Sequence, residues 1–211
     1  MSKVQDTDIS GYNYHDPELN ESHNYLLPAV VRQLTGPPAG RRLFDLGCGN
    51  GAVAEYLQNL GWDVVGVDPS TEGVAYANEK RSQLNIHVGS AYDDLLAKFG
   101  QFQFVVSLEV VEHLYAPRIF AANLYRLLEP GGIAIVSTPY HGYFKNLAIA
   151  ITNKFDGHFT ALWDHGHIKF WSVKTLRALL EEAGLDYLDL SLVGRVPPLA
   201  KSMVMTVRRP V

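Results

Sequence analysis

Two acids and a histidine stand close together in Glu109-Val110-Val111-Glu112-His113, and two more histidines follow in Trp163-Asp164-His165-Gly166-His167. Turned helically, Glu109, Glu112 and His113 occupy positions i, i+3 and i+4 of one face, where two carboxylates and an imidazole converge on a cation. His167 is the expected fourth ligand, with His165 as the alternative. Histidine among carboxylates suits Zn, Mn, Fe or Co by ligand softness. Without a cation, His113 or His167 serves instead as a general base near neutral pH. The plainer alternative is that the acids favour a helix start and that His113 is a buried, hydrogen-bonded residue that orients a ligand.

These residues follow Phe102 to Ser107, an apolar run that predicts a strand. In an open parallel sheet that strand ends on the same edge as a second stretch with chemical content, Arg41 to Gly51. There an apolar run ends in Asp45, and Gly47, Gly49 and Gly51 follow at alternate positions with Cys48 and Asn50 between them. Such glycines permit positive φ and close backbone approach, and a helix starting at Ala52 aims its first N–H groups at the same place. The next apolar run ends in Asp68-Pro69-Ser70, and a carboxylate there can accept hydrogen bonds from both hydroxyls of a ribose. The third glycine comes one residue too early for a dinucleotide fingerprint. Cys48 is explained by its small side chain between two glycines, and no reactive thiol is expected.

The D-x-G-x-G-x-G run from Asp45 to Gly51, with Asp68 after it, resembles the class I S-adenosylmethionine-dependent methyltransferases. The resemblance implies an α/β fold, a Rossmann-like seven-stranded and mostly parallel sheet with helices on both faces and an antiparallel last strand. It also implies that S-adenosylmethionine is held by Asp45, Gly47, Cys48, Gly49, Asn50, Gly51, Asp68, Pro69, Ser70, Ser90, Ala91, Leu108 and Glu109. In that pattern an acid commonly follows the third strand and meets the adenine amino group. Here the position is Ser90, which leaves the contact to its hydroxyl or to the Ala91 backbone.

Glu109 to His113, Thr138-Pro139 and His167 to Trp171 together resemble the O-methyltransferases of ubiquinone biosynthesis, and also the small-RNA 2′-O-methyltransferases. Both families carry an E-x-x-E-H motif implicated in divalent metal binding. The resemblance implies Mg at Glu109, Glu112, His113 and His167, against the Zn, Mn, Fe or Co that ligand softness favours. The expected reaction is O-methylation of a phenol or catechol, with a polyprenylated quinone precursor as one candidate acceptor. A small-RNA 2′-O-methyltransferase and a non-catalytic S-adenosylmethionine-binding regulatory protein are the alternatives.

At 211 residues and 47% hydrophobic, the chain supports one α/β domain with small additions. The expected division is an N-terminal arm and helix over 1–38 and the methyltransferase domain over 39–211, with a lid or substrate insertion at about 139–170. A net charge of −4 provides no overall basic field and argues against nucleic acid. The start lacks the apolar core of a signal peptide, and no run approaches the roughly 18 apolar residues of a membrane span, so a cytoplasmic protein is expected. Residues 1–16 predict a mobile arm that orders over a bound ligand, and Pro17 to Leu34 a helix bent near Pro28. Ser70 should cap a helix reaching about Gln83, before a third strand over Leu84 to Val88. Pro117 should open a helix running to Leu128, and Glu129 to Gly132 a tight turn before a fifth strand over Ile133 to Ser137. Thr138 to Trp171 has no regular pattern, Ser172 caps a helix ending at Gly184, and residues 185–192 and 202–207 pair as two final strands. Within Tyr143 to Trp163, Phe144, Leu147, Ile149 and Ile151 with Lys145 and Lys154 suit either a lid packed inward or a peripheral contact with the inner face of a membrane. Oligomeric state is left open.

Overall fold

The computed structural model describes residues 19–36 and 41–211, and the expected mobile arm lies outside them. Seven strands form one sheet in the order β3-β2-β1-β4-β5-β7-β6. They are β1 (Arg42–Leu46), β2 (Asp63–Asp68), β3 (Asn85–Val88), β4 (Phe102–Leu108), β5 (Leu128–Pro139), β6 (Asp186–Val193) and β7 (Ser202–Arg208). β1 to β5 run parallel, while β7 runs antiparallel between β5 and β6. The seven-stranded Rossmann-like sheet is thus present as the motifs imply.

The strands are apolar on both faces because both faces are covered. Leu43, Val64, Phe104, Ile135 and Val204 point to one core. That core is closed by α1 (His23–Gln33), α2 (Ala52–Asn59) and α3 (Thr71–Lys80). Their neighbours Phe44, Val65, Val105, Ala134 and Met205 point to the other core, under α4 (Leu95–Phe99), α5 (Pro117–Leu127) and α8 (Val173–Glu182). The strand period of two splits each run between two layers.

Local signals set the helix ends. The Ser70 hydroxyl accepts from the Gly73 N–H and starts α3, Pro117 occupies the first turn of α5, and Ser172 with Thr175 makes a reciprocal cap on α8. Gly184 follows α8 at φ 91°, the left-handed position that ends a helix. Four expectations need correction. α1 begins only at His23 and carries Pro28 inside it, and α3 stops at Lys80. Glu129 to Gly132 lies within β5 rather than before it: Phe102 pairs with Leu128 and Phe104 with Ile133, so the intervening residues bulge from the ladder. The stretch after Thr138 holds two helices, α6 (Tyr143–Ile151) and α7 (Phe155–Phe159), which the apolar run concealed because almost none of it is buried.

The sheet order reverses between β1 and β4, so a crevice opens at their C-terminal ends. The glycine turn leaves β1 there, against the segment that leaves β4. A Cβ on Gly47 would stand 2.3 Å from the Val110 Cγ2, and the residue has φ 89°. Gly47→Ala should therefore destabilise the protein by about 3 kcal/mol, through overpacking and left-handed strain together. Chemical denaturation should show Val110→Ala recovering the steric part of that loss and leaving the backbone part.

Candidate active site

The glycine turn is built from backbone hydrogen bonds to the end of β2. Gly47 and Cys48 N–H both donate to the Val67 carbonyl, at 2.7 and 3.2 Å, and the Gly51 N–H closes the turn on the Cys48 carbonyl at 2.9 Å. Asp68 is buried and its two oxygens accept from Gly49 N–H at 2.8 Å and Ser70 N–H at 2.9 Å. The expected ribose acid is thus also the clamp that holds turn and helix start together. Asn50 accepts from Ala52 N–H, while its own carbonyl receives Arg81, which also binds Glu55 at 2.7 Å. Burial pushes the Cys48 thiol up, consistent with a packing role for this side chain.

After β3, Ser90 and Ala91 form a short loop. Asp93 reaches back to accept from the Ser90 N–H at 3.3 Å and pairs with Lys98 at 2.9 Å. Buried Asn123 of α5 donates to the Ala91 and Asp93 carbonyls at 2.8 and 2.9 Å. Neither residue was singled out from sequence. Asp93 carried a signal, an acid displaced a few residues from its usual place; Asn123 looked like any polar helix residue.

Glu109 departs from the expected geometry. It has φ 56°, and the only helical turn nearby is a 3₁₀ turn at Val111–His113, so the i, i+3, i+4 face does not form. Its N–H is taken by Ser137, and its carboxylate accepts from the hydroxyls of Ser137 at 2.8 Å and Ser202 at 3.2 Å. Burial raises Glu109 to about 7. Among the described residues the ligand atoms of Glu112, His113 and His167 lie within 4.8 Å of one another, and Glu109 is outside that group. The His165 ring is outside it as well, because that residue presents its carbonyl: His113 Nδ1–H donates to it at 3.0 Å. A carbonyl can only accept, so neutral His113 carries its lone pair on Nε2.

Glu112 is 1% exposed, and among the described residues neither carboxylate oxygen finds a hydrogen-bond partner; His167 Nε2 is 3.9 Å from one of them. Burial raises its pKa well above the carboxylate range, and Glu109 adds to the shift. Burial likewise lowers His113, and takes His167 down to about 4. Burial therefore favours the uncharged form of all three groups, a donor set that a divalent cation would complete by displacing a proton. The loop carrying His167 is tied down by Ile168 and Lys169 N–H to the Glu112 carbonyl, and by Trp171 Nε1–H to that of Val111.

Asp45 is fully buried, and its Oδ2 finds no hydrogen-bond partner among the described residues. Burial and the neighbouring Asp68 raise it from 3.8 to about 7. Between those values the folded chain keeps a proton that the unfolded chain has lost, so this group's contribution to stability falls as pH rises toward 7. Asp45→Asn should thus gain stability over wild type as pH increases from about 5 to about 8, measured by denaturant unfolding of the ligand-free protein. A gap that stays constant across that range would show that Asp45 is ionised throughout.

A family model described as a methyltransferase domain matches residues 19–190. The ubiquinone biosynthesis O-methyltransferase of Cereibacter sphaeroides is 35% identical over 160 residues, covering 72% of this chain and 63% of that protein. The protein of the same name from Ruegeria pomeroyi is 35% identical over 181 residues, covering 77% of this chain and 71% of its own. The chain therefore spans a little under two thirds of the first relative's length. The magnesium protoporphyrin IX methyltransferase of Synechocystis shares the fold, with a TM-score of 0.67 at 19% identity over 87% of this chain and 82% of that one. With a family match over most of its length and the sheet order and glycine turn that the motifs imply, the chain belongs to the S-adenosylmethionine-dependent methyltransferases.

Proposed function

We propose that this protein transfers a methyl group from S-adenosylmethionine to the oxygen of a phenol or catechol, and that the acceptor carries an apolar tail. The observation that carries the oxygen acceptor is the cluster of Glu112, His113 and His167, which can take a proton from a hydroxyl beside the crevice that the glycine turn lines. The name borne by the curated relatives supports a quinone precursor as the acceptor class.

The donor site fits its ligand on this structure's own terms. The glycine turn would receive the amino acid end, and the carboxylate of Asp68 at the end of β2 would accept from ribose hydroxyls. Ser90 and Ala91 would meet the adenine, on a loop that Asn123 braces. Asp45, with its unpartnered oxygen, suits a cationic group, which would draw its proton off.

In the reaction, the phenol O–H gives its proton to the site, the oxygen takes the methyl carbon in line, and the C–S bond breaks with its electrons remaining on sulfur. A free phenol has a pKa near 10, so the proton must be accepted locally. His113 Nε2 bears a lone pair and is fixed in orientation by the His165 carbonyl. A divalent ion held by Glu112, His113 and His167 would lower the phenol pKa when bound.

Treatment with a chelator, with metal removal checked by elemental analysis, should reduce turnover of a polyprenyl catechol at least about tenfold, and Glu112→Gln should lower metal content in parallel. Full turnover by metal-free enzyme would leave His113 or His167 as an unaided base. Assaying catechols and short RNAs side by side separates the phenolic reading from ribose methylation.

The insertion bears on the acceptor's tail. α6 exposes Tyr143, Phe144, Leu147 and Ile151, with Phe144 63% and Ile151 73% accessible, and Leu162 is almost wholly exposed. These side chains do not pack inward as a closed lid would. No helix of the described residues is long and apolar enough to cross a membrane. Such a surface suits shallow burial in a lipid interface, from which a tailed phenol could enter. Wild type should co-sediment with anionic vesicles at low salt, and Phe144→Ser with Ile151→Ser should release it while turnover of a tail-less catechol continues. Wild type remaining in the supernatant would remove the membrane contact and favour a water-soluble acceptor.

A further inference from the structure

α1 precedes the first strand of the sheet, yet it delivers a side chain to the crevice. Leu26, Leu27, Ala29 and Val30 are buried and hold the helix on the sheet, and Gln33 Nε2–H donates to Asp189 of β6 at 2.7 Å. Tyr25 is half-buried, one residue before that apolar face. The Lys201 ammonium stands 5.4 Å from its ring centroid. Its hydroxyl lies in hydrogen-bonding reach of the Ser202 side chain, with Glu109 in electrostatic reach. Ser202 opens β7 opposite Pro139, the last residue of β5, so Tyr25 stands where the acceptor side of the crevice is built.

The protons of this group run one way. Ser137 and Ser202 each donate to one Glu109 oxygen, at 2.8 and 3.2 Å. A serine hydroxyl has a single proton, so Ser202, having given its own to Glu109, can only accept from Tyr25. The Tyr25 proton is thereby committed to Ser202, and the capacity that the phenol oxygen keeps is to accept. A group that fills this capacity must bring an O–H or N–H. The reacting oxygen of the methyl acceptor gives its proton to the His113 side, so the donor must be a second group on the same molecule.

Resting on the phenolic O-methyltransferase reading, we propose that Tyr25 is a specificity-determining residue, which accepts a hydrogen bond from a second, non-reacting hydroxyl of the methyl acceptor. That bond turns the ring so that the other oxygen faces the donor and the His113 side. A site built to hydrogen-bond a hydroxyl rejects an analogue that lacks it, because its own polar groups are then left unpaired. The direction of the protons also refuses an ether at this position, which would set its lone pairs against those of Tyr25. A singly methylated catechol, turned round to present its remaining hydroxyl for reaction, places an ether there, so the same contact limits transfer to one methyl group.

The test compares catechol with phenol, which lacks the second hydroxyl, and with guaiacol, in which an ether replaces it. Affinities are measured by calorimetry on protein saturated with S-adenosylhomocysteine, with chelator present so that metal chelation by catechol makes no difference. Wild type should bind catechol at least about fivefold more tightly than either analogue, the scale of one hydrogen bond. Tyr25→Phe, which keeps the ring and removes the hydroxyl, should bring the three within about twofold of one another. Ser202→Ala frees the Tyr25 proton to be donated and should raise guaiacol affinity relative to phenol, a change that a merely structural tyrosine would not produce. Equal affinity of wild type for catechol and phenol overturns the proposal whether or not the variants fold. A preference that persists in Tyr25→Phe overturns it as well, as does a guaiacol to phenol ratio unmoved by Ser202→Ala. If the preference is present and depends on Tyr25 but catechol is not methylated, the Tyr25 contact stands and the phenolic acceptor reading alone fails.

Discussion

One buried carboxylate holds the donor side of the site together. Asp68 ends β2 and accepts from the N–H of Gly49 on one oxygen and of Ser70 on the other. The first bond fixes the glycine turn and the second the start of α3, so both ligand-facing segments take their position from a single side chain. Gly47 and Cys48 add two bonds to Val67 on the same strand. The cost of this economy is electrostatic: Asp45 lies close enough to Asp68 to be pushed toward neutrality in a dry environment. The same crowding of acids favours a ligand that brings positive charge.

The acceptor side is organised by a change of backbone direction. At φ 56°, Glu109 leaves β4 without entering a helix, and the two acids of the motif separate. One turns to hydroxyls on β5 and at the start of β7, the other toward two imidazoles. Because Ile168, Lys169 and Trp171 all donate to carbonyls of the 3₁₀ turn, the loop bearing His167 cannot shift without pulling on Glu112 and Val111. The imidazole pair and the end of the insertion therefore behave as one mechanical unit. α6, by contrast, buries its lysine, which donates to the Lys201 carbonyl, and leaves Tyr143, Phe144, Leu147 and Ile151 exposed.

What the sequence by itself determined was everything encoded within a few residues. The glycine spacing, the acids at the ends of β1 and β2, the serine caps of α3 and α8, Pro117 in the first turn of α5 and the alternation that feeds two cores all act over one turn or one pleat, where local sterics and hydrogen bonding leave few choices. The tertiary structure alone decided the rest. Glu109 left the metal-like set because its N–H and carboxylate are claimed by Ser137 and Ser202, residues distant in the chain that no spacing rule connects to it. His165 exchanged a ligand's role for a carbonyl that sets the His113 tautomer. The direction of Lys145, inward beneath an outward-facing apolar helix, was decided by the Lys201 carbonyl brought in with β7. In each case a polar group sought a partner that only the folded sheet placed within reach, and that long-range satisfaction overrode the helical periodicity of the segment.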